Sequence, residues 1–188
     1  MRERVEFAPG DRRTLLGALE CLLLVSGGPV PPERLARVVG CSVEEMRALL
    51  QELQRAYEGR GLMIQEVGGG YQLCTRPEYG EFVRRFLDLQ PEPLSRAVLE
   101  TLAIVAYRQP VTRSEIEAIR GARSDAHLRR LLDRGLIREV GRRPGPGHPV
   151  EYGTTELFLR RFGLRDLSDL PPLGEVQVKD ALRGRERS

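Results

Sequence analysis

The chain has 188 residues, a length that allows either one large domain or two small ones. Thirty Lys and Arg residues against 27 Asp and Glu residues leave a formal net charge of +3, which is too small to identify a nucleic-acid-binding protein. The three cysteines are odd in number and form no Cys-x-x-Cys pair, so the sequence predicts neither a disulfide framework nor a zinc site.

Targeting signals are not evident in the sequence. The N-terminal residues lack the apolar core of a signal peptide. The most apolar run, around residues 22–25, is well short of the ~18 residues that a membrane-spanning helix needs. We therefore expect a soluble cytoplasmic protein without a membrane segment.

Two helices are predicted near the start of the chain. Asp11 suits an N-cap, and the leucines after it keep a helical spacing until Gly27. Pro31 and Pro32 suit the first residues of a second helix, and Gly40 suits its C-terminal end. Three apolar residues of that second helix are expected on one buried face: Leu35, Val38 and Val39.

A third helix and a β-hairpin follow. Ser42 and Glu45 match a capping box, and the helix that they begin is expected to continue to Gly59. Its expected apolar face consists of Met46, Leu49, Leu50 and Leu53. After Gly61, two short β-prone runs meet at the glycines 68–70, which is typical of a hairpin. Three helices followed by a hairpin are the outline of a winged helix.

The same outline occurs a second time. Shifting the sequence by 81 residues aligns Pro29 with Pro110, Val30 with Val111, Leu35 with Ile116, Val38 with Ile119, Gly40 with Gly121 and Leu50 with Leu131. In the second copy Ser95 and Ser124 suit N-caps, Thr112 and Glu115 form another capping box, and a hairpin is expected within residues 136–155. The predicted fold class is therefore mainly α with small β-hairpins, arranged as two tandem winged-helix domains.

Two further segments frame the second copy. Before it, a short amphipathic linker helix is predicted from Phe82, Val83, Phe86 and Leu87. After it, a last helix and a packed turn are predicted from Leu157, Phe158, Phe162, Leu167 and Leu170. We expect a first domain at residues 1–88, a second at residues 89–172, and a flexible charged tail at residues 173–188.

The sequence shows no catalytic or metal-binding constellation. The two histidines, His127 and His148, have no cysteine or carboxylate at a metal-ligand spacing. The glycines 68–70 lack the Lys-Ser/Thr ending of a phosphate loop. We therefore expect a protein that is not an enzyme and that uses no cofactor or metal.

DNA binding is the first non-catalytic function to consider, because the third helix of a winged helix often enters the major groove of DNA. In the first copy acidic residues outnumber basic ones in this helix, so we expect it to repel phosphate. In the second copy the third helix and the wing are rich in arginine, which would suit contact with phosphate. A run of arginines is more often simply a solvent-exposed surface. The candidate nucleic-acid contacts are Arg129, Arg130, Arg142 and Arg143.

The helix at residues 97–107 has apolar side chains around nearly its whole circumference. A helix that covers one side of a small domain needs only an apolar stripe. We therefore expect part of this surface to meet another domain, a second subunit or a docked peptide. The alternative is that the linker helix or the C-terminal segment of the same chain covers it.

Several motifs carry a family resemblance. LETLAIVAYRQPVTRSEIEAIRG at residues 99–121, LLDRGLI at 131–137, PGHPVEYGTT at 146–155, ELFLRRFGL at 156–164 and DLSDLP at 166–171 resemble segregation and condensation protein B. This family provides the accessory subunit of bacterial SMC condensin and is built from tandem winged helices. The resemblance is more specific in the second domain than in the first.

The resemblance implies a non-enzymatic homodimer that binds the kleisin subunit, segregation and condensation protein A, and reaches the SMC ATPase through it. It implies a role in chromosome condensation and segregation during cell division, a nucleoid-associated place in the cytoplasm, and DNA contact that is indirect or weak. A winged-helix DNA-binding transcription regulator is the alternative.

The resemblance also assigns a role to each domain. The first domain is expected to dimerise, and the candidate interface residues are Leu15, Leu16 and Leu19. The second domain is expected to bind the kleisin, and the candidate contacts are Leu102, Val105, Ala106, Tyr107, Arg108, Pro110 and Arg120.

Overall fold

The computed structural model describes residues 11–88 and 93–172. The chain divides into two compact units, Met1–Val83 and Arg84–Ser188, and each unit has its own hydrophobic core. The predicted flexible tail at residues 173–188 lies outside the described residues. Within the described ranges, no helix combines the length and the apolar composition that a membrane crossing requires.

The first unit contains three helices and a hairpin. Its elements are α1 (Arg12–Val25), α2 (Pro32–Val39), α3 (Val43–Ala56), β1 (Leu62–Val67) and β2 (Gly70–Thr75). A short 3-10 helix (Pro77–Tyr79) leads into α4 (Gly80–Phe86), the predicted linker helix, which runs across the division between the units. The order of elements agrees with the predicted winged-helix outline.

Three of the predicted helix ends in the first unit are confirmed. The Asp11 side chain accepts a hydrogen bond from the backbone N–H of Arg13, and Ser42 and Glu45 form both halves of the capping box. Gly40 ends α2 with φ of 83°, a left-handed conformation that glycine adopts without steric cost. The third helix ends earlier than predicted, at Ala56 and not near Gly59.

The buried face of α2 differs from the prediction. Leu35 and Ala36 are buried, whereas the Val38 side chain is 62% exposed. On a helix with 100° per residue, Ala36 lies beyond Val39 on one side of Leu35, and Val38 lies on the other side. The core of the first unit meets the side with Ala36, so Val38 faces solvent. Ile119, which the sequence repeat aligns with Val38, is exposed in the same way.

The hairpin of the first unit is antiparallel, and Val67 pairs with Gly70. Gly68 and Gly69 therefore form a two-residue turn, and their φ values of 58° and 74° explain why both are glycine. Val30, in the segment before α2, pairs with Tyr71 through two backbone hydrogen bonds of 2.9 Å. This bridge attaches the hairpin to the helices.

The second unit repeats the arrangement with an additional strand. Its elements are α5 (Arg96–Arg108), β3 (Val111–Thr112), α6 (Arg113–Arg120), α7 (Asp125–Asp133), β4 (Ile137–Arg142), β5 (Val150–Thr154), α8 (Glu156–Phe162) and a 3-10 helix (Leu167–Asp169). The sheet has the order β3-β5-β4, and Val111 pairs with Tyr152 as Val30 pairs with Tyr71. The predicted fold class and repeat are confirmed, whereas strand β3 was not predicted.

Several side chains of the second unit depart from the predictions. Ser95 and Ser124 occupy N-cap positions, but neither side chain makes the capping hydrogen bond. In the C-terminal segment Phe158 is buried, and Phe162 and Leu170 pack against the core. Leu157 and Leu167 are exposed, because the core contacts only one side of α8 and of the 3-10 helix.

Gly70 provides a test of the bridge between Val30 and the hairpin. A Cβ at Gly70 would lie 2.7 Å from the carbonyl carbon of Val30, so backbone would have to move. We expect Gly70→Ala to lower the free energy of unfolding of the first unit by about 2 kcal/mol, measured by urea denaturation. At Gly61 an added Cβ would make only ordinary contacts of 3.8 Å, so Gly61→Ala is the matched control, with an expected change within about 0.5 kcal/mol. Equal stability of the two variants would contradict this account of the bridge.

Candidate interaction surfaces

The apolar circumference of α5 is covered by its own chain. Five residues of α5 are buried: Val98, Thr101, Leu102, Val105 and Ala106. Leu99 and Ile104 pack partly buried against the same core, and α5 contacts α6, α7 and β5. The expectation of a surplus apolar surface on this helix is therefore wrong. The helix is apolar on nearly all sides because it lies at the centre of its unit.

The C-terminal segment provides part of this cover. Leu164 is buried in the core of the second unit, and Leu159, Phe162 and Leu170 pack against that core. The Tyr107 hydroxyl donates a 2.7 Å hydrogen bond to the carbonyl oxygen of Pro171, which fixes the end of the segment beside α5. Burial raises the pKa of the Tyr107 phenol.

The predicted kleisin contacts separate into two groups. Leu102, Val105 and Ala106 belong to the core, and the Arg120 side chain is only 8% exposed. These side chains support the surface from beneath and offer a partner little or no contact area. Tyr107 is half-buried, while Arg108 and Pro110 are exposed. The structure therefore brings only Tyr107, Arg108 and Pro110 together as an accessible surface, at the C-terminal end of α5.

Gln109 holds this end of α5 in place. Its side-chain amide N–H group donates to the carbonyl oxygen of Ala106 at 3.2 Å and to the Thr154 hydroxyl at 3.0 Å. Its amide oxygen accepts the backbone N–H of Thr154 at 2.8 Å. The Gln109–Pro110 peptide bond is cis, and the chain then enters β3. The sequence analysis did not identify Gln109 as the residue that joins α5 to β5.

Arg120 organises the turn between α6 and α7. Its Nη1 donates to the carbonyl oxygen of Arg123 at 3.2 Å and to the Ser124 hydroxyl at 2.9 Å, and it lies 3.0 Å from Nδ1 of His127. Its Nη2 lies 4.0 Å from a carboxylate oxygen of Glu100 on α5. These contacts hold the guanidinium group inside the turn, so the Arg120 side chain is largely buried and its role is structural.

Arg143 ties the wing between β4 and β5 to the start of α6. Its Nη1 donates to Glu115 Oε1 at 2.6 Å and its Nε donates to Glu151 Oε1 at 2.8 Å. The other Glu115 oxygen completes the capping box by accepting the backbone N–H of Thr112 at 2.8 Å. The pKa of Glu115 is lowered to about 2, first because Arg143 donates to it and then because Thr112 does. The sequence indicated the capping box but did not predict that Arg143 pairs with Glu115.

The basic patch of the second unit is therefore smaller than the sequence suggested. Arg143 is committed to two carboxylates, and Arg142 donates to the carbonyl oxygen of His148 at 3.3 Å. Arg129 and Arg130 lie on the exposed side of α7. Nucleic-acid contact by Arg129, Arg130 and Arg142 stays a prediction. Among the described residues, no group of three His, Cys, Asp or Glu side chains is arranged to hold a metal ion.

The leucines predicted at a dimer interface face inward in the first unit. Leu19 is buried, and Leu15 and Leu16 pack against the core. The large exposed apolar side chains of α1 are Leu24, which is 69% exposed, and Val25, which is 78% exposed. An interface on α1 would therefore use the side of the helix opposite to Leu19.

Comparisons with known proteins cover both units. The family model described as "Segregation and condensation complex subunit ScpB" matches residues 17–173. The segregation and condensation protein B of Moorella thermoacetica is 55% identical over 165 residues, covering 86% of this chain and 84% of the relative. That of Symbiobacterium thermophilum is 52% identical over 157 residues, covering 82% and 72%. A solved dimer of an ScpB N-terminal domain complexed with ScpA peptide is 28% identical, covers 41% of this chain and 99% of that chain, and superposes with a TM-score of 0.39.

The ion pair between Glu115 and Arg143 predicts a pH dependence. The pKa of Glu115 is below its unfolded value, so its contribution to stability is complete above about pH 4.5 and is lost as the pH falls towards 2. We expect Glu115→Gln to lower the unfolding free energy at pH 7 and to flatten its decline between those pH values. Glu156→Gln is the matched control, because Glu156 is exposed and forms no ion pair within the described ranges. Chemical denaturation across pH measures both variants, and an unchanged pH profile for Glu115→Gln would contradict the assignment.

Proposed function

The chain belongs to the segregation and condensation complex subunit ScpB family, and from this premise we propose that it is a non-enzymatic subunit of bacterial SMC condensin. It forms a homodimer and binds the kleisin, segregation and condensation protein A, which connects it to the SMC ATPase. In this role it supports chromosome condensation and segregation at the nucleoid. The observation that carries the proposal is the family match over residues 17–173, which includes both winged-helix units.

The electrostatics of the described residues support a scaffold role. The two carboxyl groups with the largest shifts have a pKa of about 2, and both belong to structural ion pairs. Glu115 accepts from Arg143, and Asp169 accepts from Arg165. The pKa values near 7 that general acid–base catalysis favours need a different environment, in which burial or a like charge opposes ionisation.

The kleisin-binding role belongs in this proposal to the domain at residues 89–172, and the contact surface is narrowed to Tyr107, Arg108 and Pro110. Gln109 and the Tyr107 hydroxyl hold these three residues in a fixed arrangement. A preorganised surface loses little conformational entropy when a partner binds, and aromatic and arginine side chains are frequent binding hot spots. Dimerisation belongs to the domain at residues 1–88.

Binding of a central ScpA peptide tests the kleisin surface. We expect Arg108→Glu to weaken the affinity about tenfold or more, since a charge reversal removes an exposed anchor without disturbing the core. Arg129→Glu makes the same change on an exposed arginine of α7, and an effect of less than about twofold is expected there. Fluorescence anisotropy measures the affinity, and circular dichroism confirms folding. Val105 was also a candidate contact, but it is fully buried, so a charged substitution there would disrupt the core and would not test the surface.

Two outcomes would contradict the proposal. Equal peptide affinity for the wild type and for Arg108→Glu would remove the kleisin surface from the end of α5. Tight, strongly salt-dependent and sequence-selective binding of duplex DNA by the isolated protein would favour the DNA-binding regulator, because phosphate contacts release counterions.

A further inference from the structure

We propose that the tail at residues 173–188 folds back over the surface formed by Tyr107, Arg108 and Pro110, and that a kleisin has to displace the tail in order to bind there. The inference rests on the proposed function, because this surface is the proposed kleisin surface. It names a segment of the same chain as the competitor of the partner. The tail lies outside the described residues, and the described residues place its start and show what it meets there.

The described part of the chain ends beside this surface. The Tyr107 hydroxyl donates a 2.7 Å hydrogen bond to the carbonyl oxygen of Pro171, and Pro172 is the last described residue. Leu164 is buried and Leu170 packs against the core, so the point from which the tail departs is held in place. A tail attached at this point therefore stays at a high effective concentration around the surface.

Arg108 offers this surface a positive charge that a carboxylate can neutralise. Its side chain is exposed, and it forms no hydrogen bond or ion pair with any residue that the structure describes. A neighbouring arginine is already committed, because Arg143 lies with Nη2 3.5 Å from the carbonyl oxygen of Pro110 and donates to Glu115 and Glu151. Arg108 is therefore the cation that this surface presents to a new partner.

The first part of the tail has the composition that suits this surface. Residues 173–182 read LGEVQVKDAL, in which four Val or Leu residues accompany the carboxylate of Glu175. Glu175 is four positions beyond Pro171, and four residues of extended chain span at most ~14 Å. This length lets the Glu175 carboxylate reach the guanidinium of Arg108, while the aliphatic side chains cover the apolar part of the surface.

The expected strength of this competition follows from the fraction of molecules in which the surface is open. The apparent dissociation constant of a partner equals its intrinsic value divided by that open fraction. An exposed ion pair is weak, but a short tether supplies an effective concentration in the millimolar range. The tail is therefore expected to reduce kleisin affinity moderately and to leave the kleisin able to displace it.

Binding of a central ScpA peptide tests the competition. We expect deletion of residues 173–188 to lower the dissociation constant about three- to tenfold. In the full-length chain we expect Glu175→Lys to lower it about twofold or more, because the substitution replaces attraction to Arg108 by repulsion. Glu186→Lys makes the same charge change near the far end of the tail and is the matched control, with an expected change of less than about 1.5-fold. Fluorescence anisotropy measures the constants at one ionic strength, and circular dichroism confirms folding.

A zero-length cross-link tests the contact in the absence of the kleisin. Lys179 is the single lysine of the sequence, so Arg108→Lys adds a second lysine amine and keeps the positive charge. We expect a carbodiimide to join position 108 to Glu175 by an amide bond within one chain of the full-length variant, and mass spectrometry of the digested monomer band identifies the linked peptides. Adding Glu175→Gln to Arg108→Lys is expected to abolish this product.

The outcomes separate this inference from the proposed function. Equal or weaker peptide affinity after deletion of the tail overturns the competition and leaves kleisin binding intact. Absence of the cross-link from Arg108→Lys overturns the contact between the tail and the surface. If neither the full-length nor the truncated protein binds the ScpA peptide, the proposed kleisin binding fails and the competition fails with it, whereas the cross-link still reports whether the tail covers the surface.

Discussion

Both units depend on one backbone contact, between the segment that precedes the second helix and the second strand of the hairpin. In the first unit Val30 and Tyr71 exchange two hydrogen bonds of 2.9 Å, and in the second Val111 pairs with Tyr152. An isolated two-stranded hairpin is marginally stable, so this contact, together with the burial of hairpin side chains such as Ile64 and Tyr71 in the core, holds the hairpin on the helices.

Local signals made much of the fold predictable. Caps and turns depend on residues three or four positions apart, which is why Asp11, Ser42 with Glu45, and Thr112 with Glu115 were identified correctly. Contacts between distant residues leave no such signal. The bond between Tyr107 and Pro171 joins residues 64 positions apart, and the pair of Arg143 with Glu115 joins residues 28 positions apart. These contacts determine which predicted site residues are accessible.

The apolar helix α5 shows why sequence alone misjudged the surface. Hydrophobic periodicity indicates how many sides of a helix avoid water, but not whether the neighbour on each side belongs to the same chain. The neighbours of α5 are α6, α7, β5 and the C-terminal segment. The apolar surface that suggested a binding partner is therefore part of the core of the same unit. The opposite error occurs in α1 and α2, where apolar spacing suggests buried residues. Leu24, Val25 and Val38 belong to these apolar helices, yet their side chains are exposed. Burial of a side chain therefore depends on the whole arrangement of elements. Ile119, the repeat equivalent of Val38, is exposed in the same way.

The separation of the two candidate surfaces has a consequence for binding strength. The exposed side of α1 at Leu24 and Val25 belongs to the first unit, and the surface at Tyr107, Arg108 and Pro110 belongs to the second. A partner that occupies one of them therefore does not compete for residues of the other. A dimer carries two copies of the second surface, so a partner with two binding segments, or two tethered partners, would bind through an effective concentration that no single contact provides.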